Sequence, residues 1–173
     1  MTYHPHPNGG GAVAYTAYVA PTAYIGPDAR VSGRSRVYGT ARVYDTAQVH
    51  GTAQVYDNAE VYDEARVYGN SQVYGNAHVY GSAHVFGTAQ LSGNATLTHA
   101  RHVMTVGPIG SENRYLTLAH NGTDDPVCTV GCWSGLLSGL LPEAEIRAPD
   151  HALEYAALYN LCLFRLAEWN TSQ

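Results

Sequence analysis

From Val13 to Val103 every sixth residue is Val, Ile or Leu, sixteen positions in register. Two residues before each such position from Val19 to Leu97 stand twelve alanines and two serines, Ser35 and Ser71. A helix repeats near 3.6 residues and a strand at 2, so a period of six is neither taken directly. It marks a repeat architecture, in which each unit buries its apolar face only by stacking on its neighbours.

The unit reads as in Val37-Tyr38-Gly39-Thr40-Ala41-Arg42. The valine and the alanine two before it share one face of an extended segment, because alternate side chains point the same way. The Gly or Asp followed by Thr or Asn is turn chemistry: Gly tolerates positive φ, and Asp and Asn bond their own backbone. A short strand and a corner, repeated without slippage, wind into a coil. The pattern resembles the hexapeptide repeat of left-handed parallel β-helices, where three hexads make one triangular coil. The handedness is implied by that resemblance, since ordinary parallel crossovers are right-handed. The expected fold is therefore mainly β: a left-handed parallel β-helix of about five coils with a small C-terminal α+β domain. The expected divisions are an N-terminal leader or cap (1–12), the β-helix (13–105) and a capping and oligomerisation domain (106–173).

The chain has no lysine, and its nine positive charges are all arginine. Residues 13–102 are neutral and residues 103–173 carry the net charge of −5. No basic stripe exists for a nucleic-acid backbone. No long apolar run or signal-peptide core is present, so the expectation is a soluble, cytoplasmic protein that engages neither nucleic acid nor membrane. Three cysteines do not suggest a disulfide framework.

Residues one coil apart lie above one another. Tyr38, Tyr56 and Tyr74 are expected to stack, as are Tyr44, Tyr62 and Tyr80, and His50, Tyr68 and Phe86. Stacked aromatics stabilise a sheet by themselves; the alternative is an aromatic surface for a ligand or partner. Acyltransferases with this repeat use a histidine as general base near a subunit interface, which draws attention to His84, His99 and His102. His84 and His102 are one coil apart and expected to stack. Yet His78 and His84 fill a slot taken elsewhere by Arg42, Gln48 and Gln54, as any solvated residue would. No long loop interrupts the coils to build a catalytic site, and no metal site is expected.

After Val103 the hexads stop. Three strands are predicted, Val103–Val106, Tyr115–Leu118 and Val127–Val130, then a helix N-capped by Asp150 and running to about Glu168. Its apolar set, including Leu153, Leu161, Phe164 and Trp169, is wider than one stripe and predicts burial on two sides, by its own sheet and by a β-helix end or another subunit. The leader His6–Gly11, the Val-Tyr-Gly-Asn-Ala repeats, the Gly107–Ser111 loop and the Gly131-Cys132-Trp133 turn together resemble a family of bacteriophage and prophage hexapeptide-repeat proteins. Members often carry a transferase label that rests on fold analogy.

The tail is where a binding site is expected. Gly107, Gly110, Ser111 and Asn113 with Arg114 behind them supply backbone N–H groups, a hydroxyl and a cation, the makings of an anion nest. Trp133 offers a flat ring, and His151 and Tyr155, four apart on one helix face, offer hydrogen bonds. The plain alternative is a tight hairpin with Trp133 in the core. Cys128, Cys132 and His120 match no standard zinc spacing. The expected function is an oligomeric, non-catalytic phage-type binding protein. It would antagonise host defence by sequestering a small anionic, nucleotide-like molecule or by occluding a host protein. The alternatives are an acyltransferase using coenzyme A between prisms, with one of the three histidines as base, and a virion spacer. A homo-oligomer, a trimer or a multiple of one, is implied by the resemblance.

Overall fold

A computed structural model describes residues 2–99, 102–109 and 112–171. Two-residue strands recur every six residues, as in Arg36–Val37, Arg42–Val43 and Gln48–Val49. Each pairs in parallel with the strand eighteen residues on, Arg30 opposite Gln48 and Glu60 opposite His78. Among the described residues the strands from Ala12–Ala14 to Thr96–His99 form three parallel ladders of five, the walls of a five-coil β-solenoid. The valine and the alanine of each hexad point inward together; Val49, Ala59, Val61 and Ala77 are wholly buried. Backbone hydrogen bonds cross from coil to coil along the walls and at corners such as Thr40, whose N–H donates to the Asp57 carbonyl at 2.8 Å.

From Gly33 to Gly93 the corners take a left-handed backbone, whereas the earlier corners carry Pro21 and Pro27. Gly supplies it at Gly39 (φ 71°) and Gly51 (φ 75°), where a Cβ would lie 2.8 and 2.9 Å from the next coil's backbone nitrogen. Where aspartate replaces glycine, at Asp45, Asp57 and Asp63 (φ 53–58°), its carboxylate accepts from the N–H one coil on. The side-chain bond offsets part of the backbone strain.

Both ends are covered. At the base, Tyr3–Pro5 pairs antiparallel with Ala12–Ala14, and Asn8 accepts from the Ile25 N–H at 3.0 Å. At the top lies a four-stranded antiparallel sheet in the order Val103–Ile109, Arg114–Ala119, Val127–Val130, Trp133–Leu136. Its alternate residues face opposite ways. Ala119 and Val127 join the solenoid core, and the Thr117 hydroxyl accepts from the Gln90 N–H at 3.0 Å. Leu116, Leu118 and Cys128 face helices α1 (Leu140–Arg147) and α2 (Ala152–Thr171). Burial on both faces explains why residues 116–119 and 127–129 carry no charge, with the buried Thr117 and Thr129 hydroxyls hydrogen-bonded to Gln90 and Ser92 of the solenoid. No helix is long and apolar enough to cross a membrane among the described residues.

Several expectations for the tail are corrected. The sheet has a fourth strand, Trp133–Leu136, so the Gly131–Cys132 turn begins a hairpin. Helix α1 was hidden by Gly139 and Pro142; Pro142 sits in its first turn, where a missing N–H costs nothing. Asp150 lies inside a short 3₁₀ turn, Pro149–His151, with no side-chain cap there, and α2 starts at Ala152. Gly107 and Pro108 belong to the strand Val103–Ile109, not to an open loop. Of the two buried sides expected for α2, a single chain supplies one: Tyr155, Leu158, Cys162, Leu166 and Trp169 face inward, and Leu153 and Phe164 face out.

Candidate functional site

The three aromatic ladders form as the repeat requires. Tyr38 lies on Tyr56 and Tyr44 on Tyr62 with ring centroids 4.9 Å apart and planes within 1°, and Tyr68 lies between His50 and Phe86. Their hydroxyls donate to the neighbouring row: Tyr38 to Gln54 at 3.1 Å, Tyr44 to Glu60 at 2.9 Å. Ring faces spent on one another present only edges outward, which suits a structural role better than ligand stacking. Burial, reinforced at Tyr44 by Glu60, holds the Tyr44 and Tyr56 phenols neutral well above their usual range.

The candidate histidines separate. His84 is half-buried on the last strand of its ladder, edge-on to Tyr68 at 6.1 Å. The expected stack of His102 on His84 is not made, because that ladder ends there and the chain leaves for the tail. His102 is buried at the junction instead, its ring 5.2 Å from His99, 5.0 Å from His120 and 6.1 Å from Trp169. Thr98 Oγ1 lies 2.9 Å from His99 Nδ1 and 3.2 Å from His102 Nδ1. Burial lowers the His120 pKa. His99 alone of these is exposed.

The tail holds a cleft of about 390 Å³ where the outer hairpin meets α1 and the start of α2. Arg114, Trp133, His151 and Tyr155 all line it. The strand Arg114–Ala119 delivers the guanidinium, which crosses Gly131: a Cβ there would stand 3.3 Å from Arg114 Cδ. Trp133 opens the fourth strand, the 3₁₀ turn ends on His151, and the first turn of α2 presents Tyr155. Glu112 takes both Nε and Nη2 of Arg114, at 2.8 and 2.7 Å. Glu143 pairs with Arg147 across a turn of α1, and His151 lies 3.3 Å from Glu154. Burial, with Glu154 and Glu112 nearby, raises the Tyr155 pKa and keeps its phenol a neutral donor.

Other expected members of the site fall elsewhere. Gly107 is packed against Arg114 and Tyr115 and does not line the cleft; Asn113, at φ 51°, is exposed in the adjoining turn. Gly110 and Ser111 lie outside the described residues. Glu112, Glu143 and Arg147 line the cleft but were not singled out from sequence, and Cys132, weighed there only as a metal ligand, lines it too. The only signal for Glu143 and Arg147 was their i,i+4 spacing, visible once α1 is recognised. Cys128 is buried against Cys162, apart from the exposed Cys132, and burial raises both thiols, Cys162 to about 11.

Five stacked coils closed by a sheet that carries a lined cleft define a β-helix repeat protein with a capping domain. A family model described as the YdcK beta-solenoid repeat matches residues 71–87 and 89–104, the last two coils. No curated protein and no solved structure matches the chain.

Proposed function

We propose that the protein binds a small, flat, anionic ligand in the tail cleft, with the solenoid as its rigid support. One observation carries this reading: Arg114, Trp133, His151 and Tyr155, spread over 42 positions of the chain, converge on one cleft. The cleft lies within the range of about 300–1,000 Å³ usual for small-molecule sites, at its lower end. Arg114 and Arg147 are both about half exposed and held by glutamates. Such exposed pairs are weak and screened by water, so a phosphate or carboxylate can take over the guanidinium at little cost. It would gain a bidentate contact in return. Trp133 adds an aromatic face and the Tyr155 hydroxyl a donor.

A nucleotide-like molecule combines the ring and the anion. Sequestration of such a molecule, without turnover, is the activity proposed. In a phage setting the molecule would be a signal of the host's defence. Calorimetric titration with AMP, ADP and inorganic phosphate tests this. Binding of a nucleotide, weakened at least tenfold by Arg114→Gln and by Trp133→Ala, is expected. Binding that both variants leave intact, or no binding of any of the three, would overturn it. Acetyl-CoA in the same series tests the acyltransferase alternative: turnover lost on His84→Ala would replace the present reading.

A further inference from the structure

Helix α2 spans twenty residues, about 30 Å. On its outward side Leu153, Ala157, Asn160, Phe164 and Ala167 form one stripe, and all five are exposed. They are spaced alternately by four and three residues, the spacing that keeps a stripe turned toward a neighbouring helix. Leu153 is 89% and Phe164 65% exposed. Two large apolar side chains this open, on a helix whose other side is already packed, mark an interaction surface.

We propose that this face binds a second copy of the chain, as an antiparallel helix pair about a twofold axis near Asn160. The stripe selects its own occupant. Read forward it runs large, small, Asn, large, small; read backward it runs small, large, Asn, small, large. Antiparallel pairing therefore sets Leu153 against the partner's Ala167 and Phe164 against the partner's Ala157, large on small along the whole seam. Parallel pairing would set large on large and leave gaps beside the alanines. Asn160 meets its counterpart near the axis, where a paired amide fixes register. Charges agree: the same register brings Glu154 alongside the partner's Arg165. Within one chain Glu154 lies 3.3 Å from the half-buried His151, and Arg165 lies 2.8 Å from the exposed Glu168. An isologous contact of this kind closes on itself and gives a dimer, in place of the trimer implied by the resemblance. One helix pair approaches the lower end of stable interfaces, so dissociation in the micromolar range is expected.

Sedimentation equilibrium from about 5 to 200 μM tests the association. A monomer–dimer equilibrium is expected, abolished by Phe164→Glu, which keeps its far-ultraviolet circular dichroism and its ligand cleft because Phe164 is exposed. Disulfide trapping tests the register, in a Cys132→Ser background. Asn160→Cys should cross-link two chains on mild oxidation. Leu153→Cys should not, because antiparallel pairing holds the two copies of that position roughly 20 Å apart. A monomer throughout the range, a larger oligomer untouched by Phe164→Glu, or Leu153→Cys dimers as abundant as Asn160→Cys dimers would each overturn the proposal.

Discussion

The indole of Trp133 lies across Gly135: a Cβ on Gly135 would stand 2.7 Å from the Trp133 ring carbon Cζ2. The two residues point the same way from one strand, so the bare glycine is what lets the ring lie down beside the cleft. Gly135→Ala is expected to lift the ring and weaken ligand binding several-fold while the solenoid stays intact. Tryptophan fluorescence and a ligand titration on the variant check this; unchanged emission and affinity would refute the role given to Gly135.

Cys132 lines the cleft and is exposed, whereas Cys128 and Cys162 are buried with raised pKa values. Since the thiolate is the reactive form, one thiol per chain should react with a disulfide reagent at neutral pH in the native protein. Saturating ligand should slow that reaction. Two or three fast thiols, or one indifferent to a ligand that binds, would contradict the placement of Cys132.

Ala59 and Ala77 are wholly buried behind a valine of their own hexad. Leucine at either position overpacks the corner and is expected to cost about 1–3 kcal/mol. A thermal melt followed by circular dichroism measures the loss.

Gly51 and Gly87 share a left-handed backbone, at φ 75° and 66°, but differ in what lies above them. A Cβ on Gly51 would meet the Gly69 nitrogen at 2.9 Å, while one on Gly87 would meet nothing within 4 Å. Gly87→Ala should cost the backbone strain alone, about 1–3 kcal/mol. Gly51→Ala should lower the melting temperature further, because backbone cannot move aside as a side chain can. Equal losses would mean that the corner contact is slack.

Alkaline pH should unfold the protein through its tyrosine ladders. Tyr38, Tyr44, Tyr56 and Tyr62 all have raised pKa values, chiefly from burial, with Tyr56 pushed up to about 12. Between the unfolded value of 10 and these folded values the unfolded chain holds fewer protons than the native one. Stability contributed by the neutral ladder is therefore full below pH 10 and falls as pH rises toward 12. On the acid side His50 and His120, lowered from 6.5 by burial, act in the opposite sense, and stability should decline below about pH 6.5. Melting temperatures across pH 5–12, with phenolate absorbance read in parallel, test both arms. A flat profile above pH 10 would remove the ladders from the account.

The solenoid was legible in the sequence because each hexad meets only copies of itself. A valine at 37 needs a valine at 55, and the period states both at once. The aromatic ladders followed from the same arithmetic, and failed only at His102, where the coil ends. The tail was less legible for the opposite reason. Its strands alternate between two buried faces, so their apolar runs hide which residue faces the solenoid and which faces the helices. Arg114, Trp133, His151 and Tyr155 could be singled out by chemistry, yet nothing in their spacing placed them together. Glu112 reaches the rim from the turn before Arg114, and Arg147 was invisible until α1 brought it there.

By itself the sequence determined the coil: its period, its core of valine and alanine, its corners at glycine and aspartate, and its stacked rings. These are nearest-neighbour properties of a one-dimensional repeat, and local chemistry suffices to state them. Only the tertiary structure decided how the top is closed, which face of α2 is left open, and which side chains share the cleft. Each of those depends on contacts between segments far apart in the chain, where no period relates one residue to the next and shape decides the pairing.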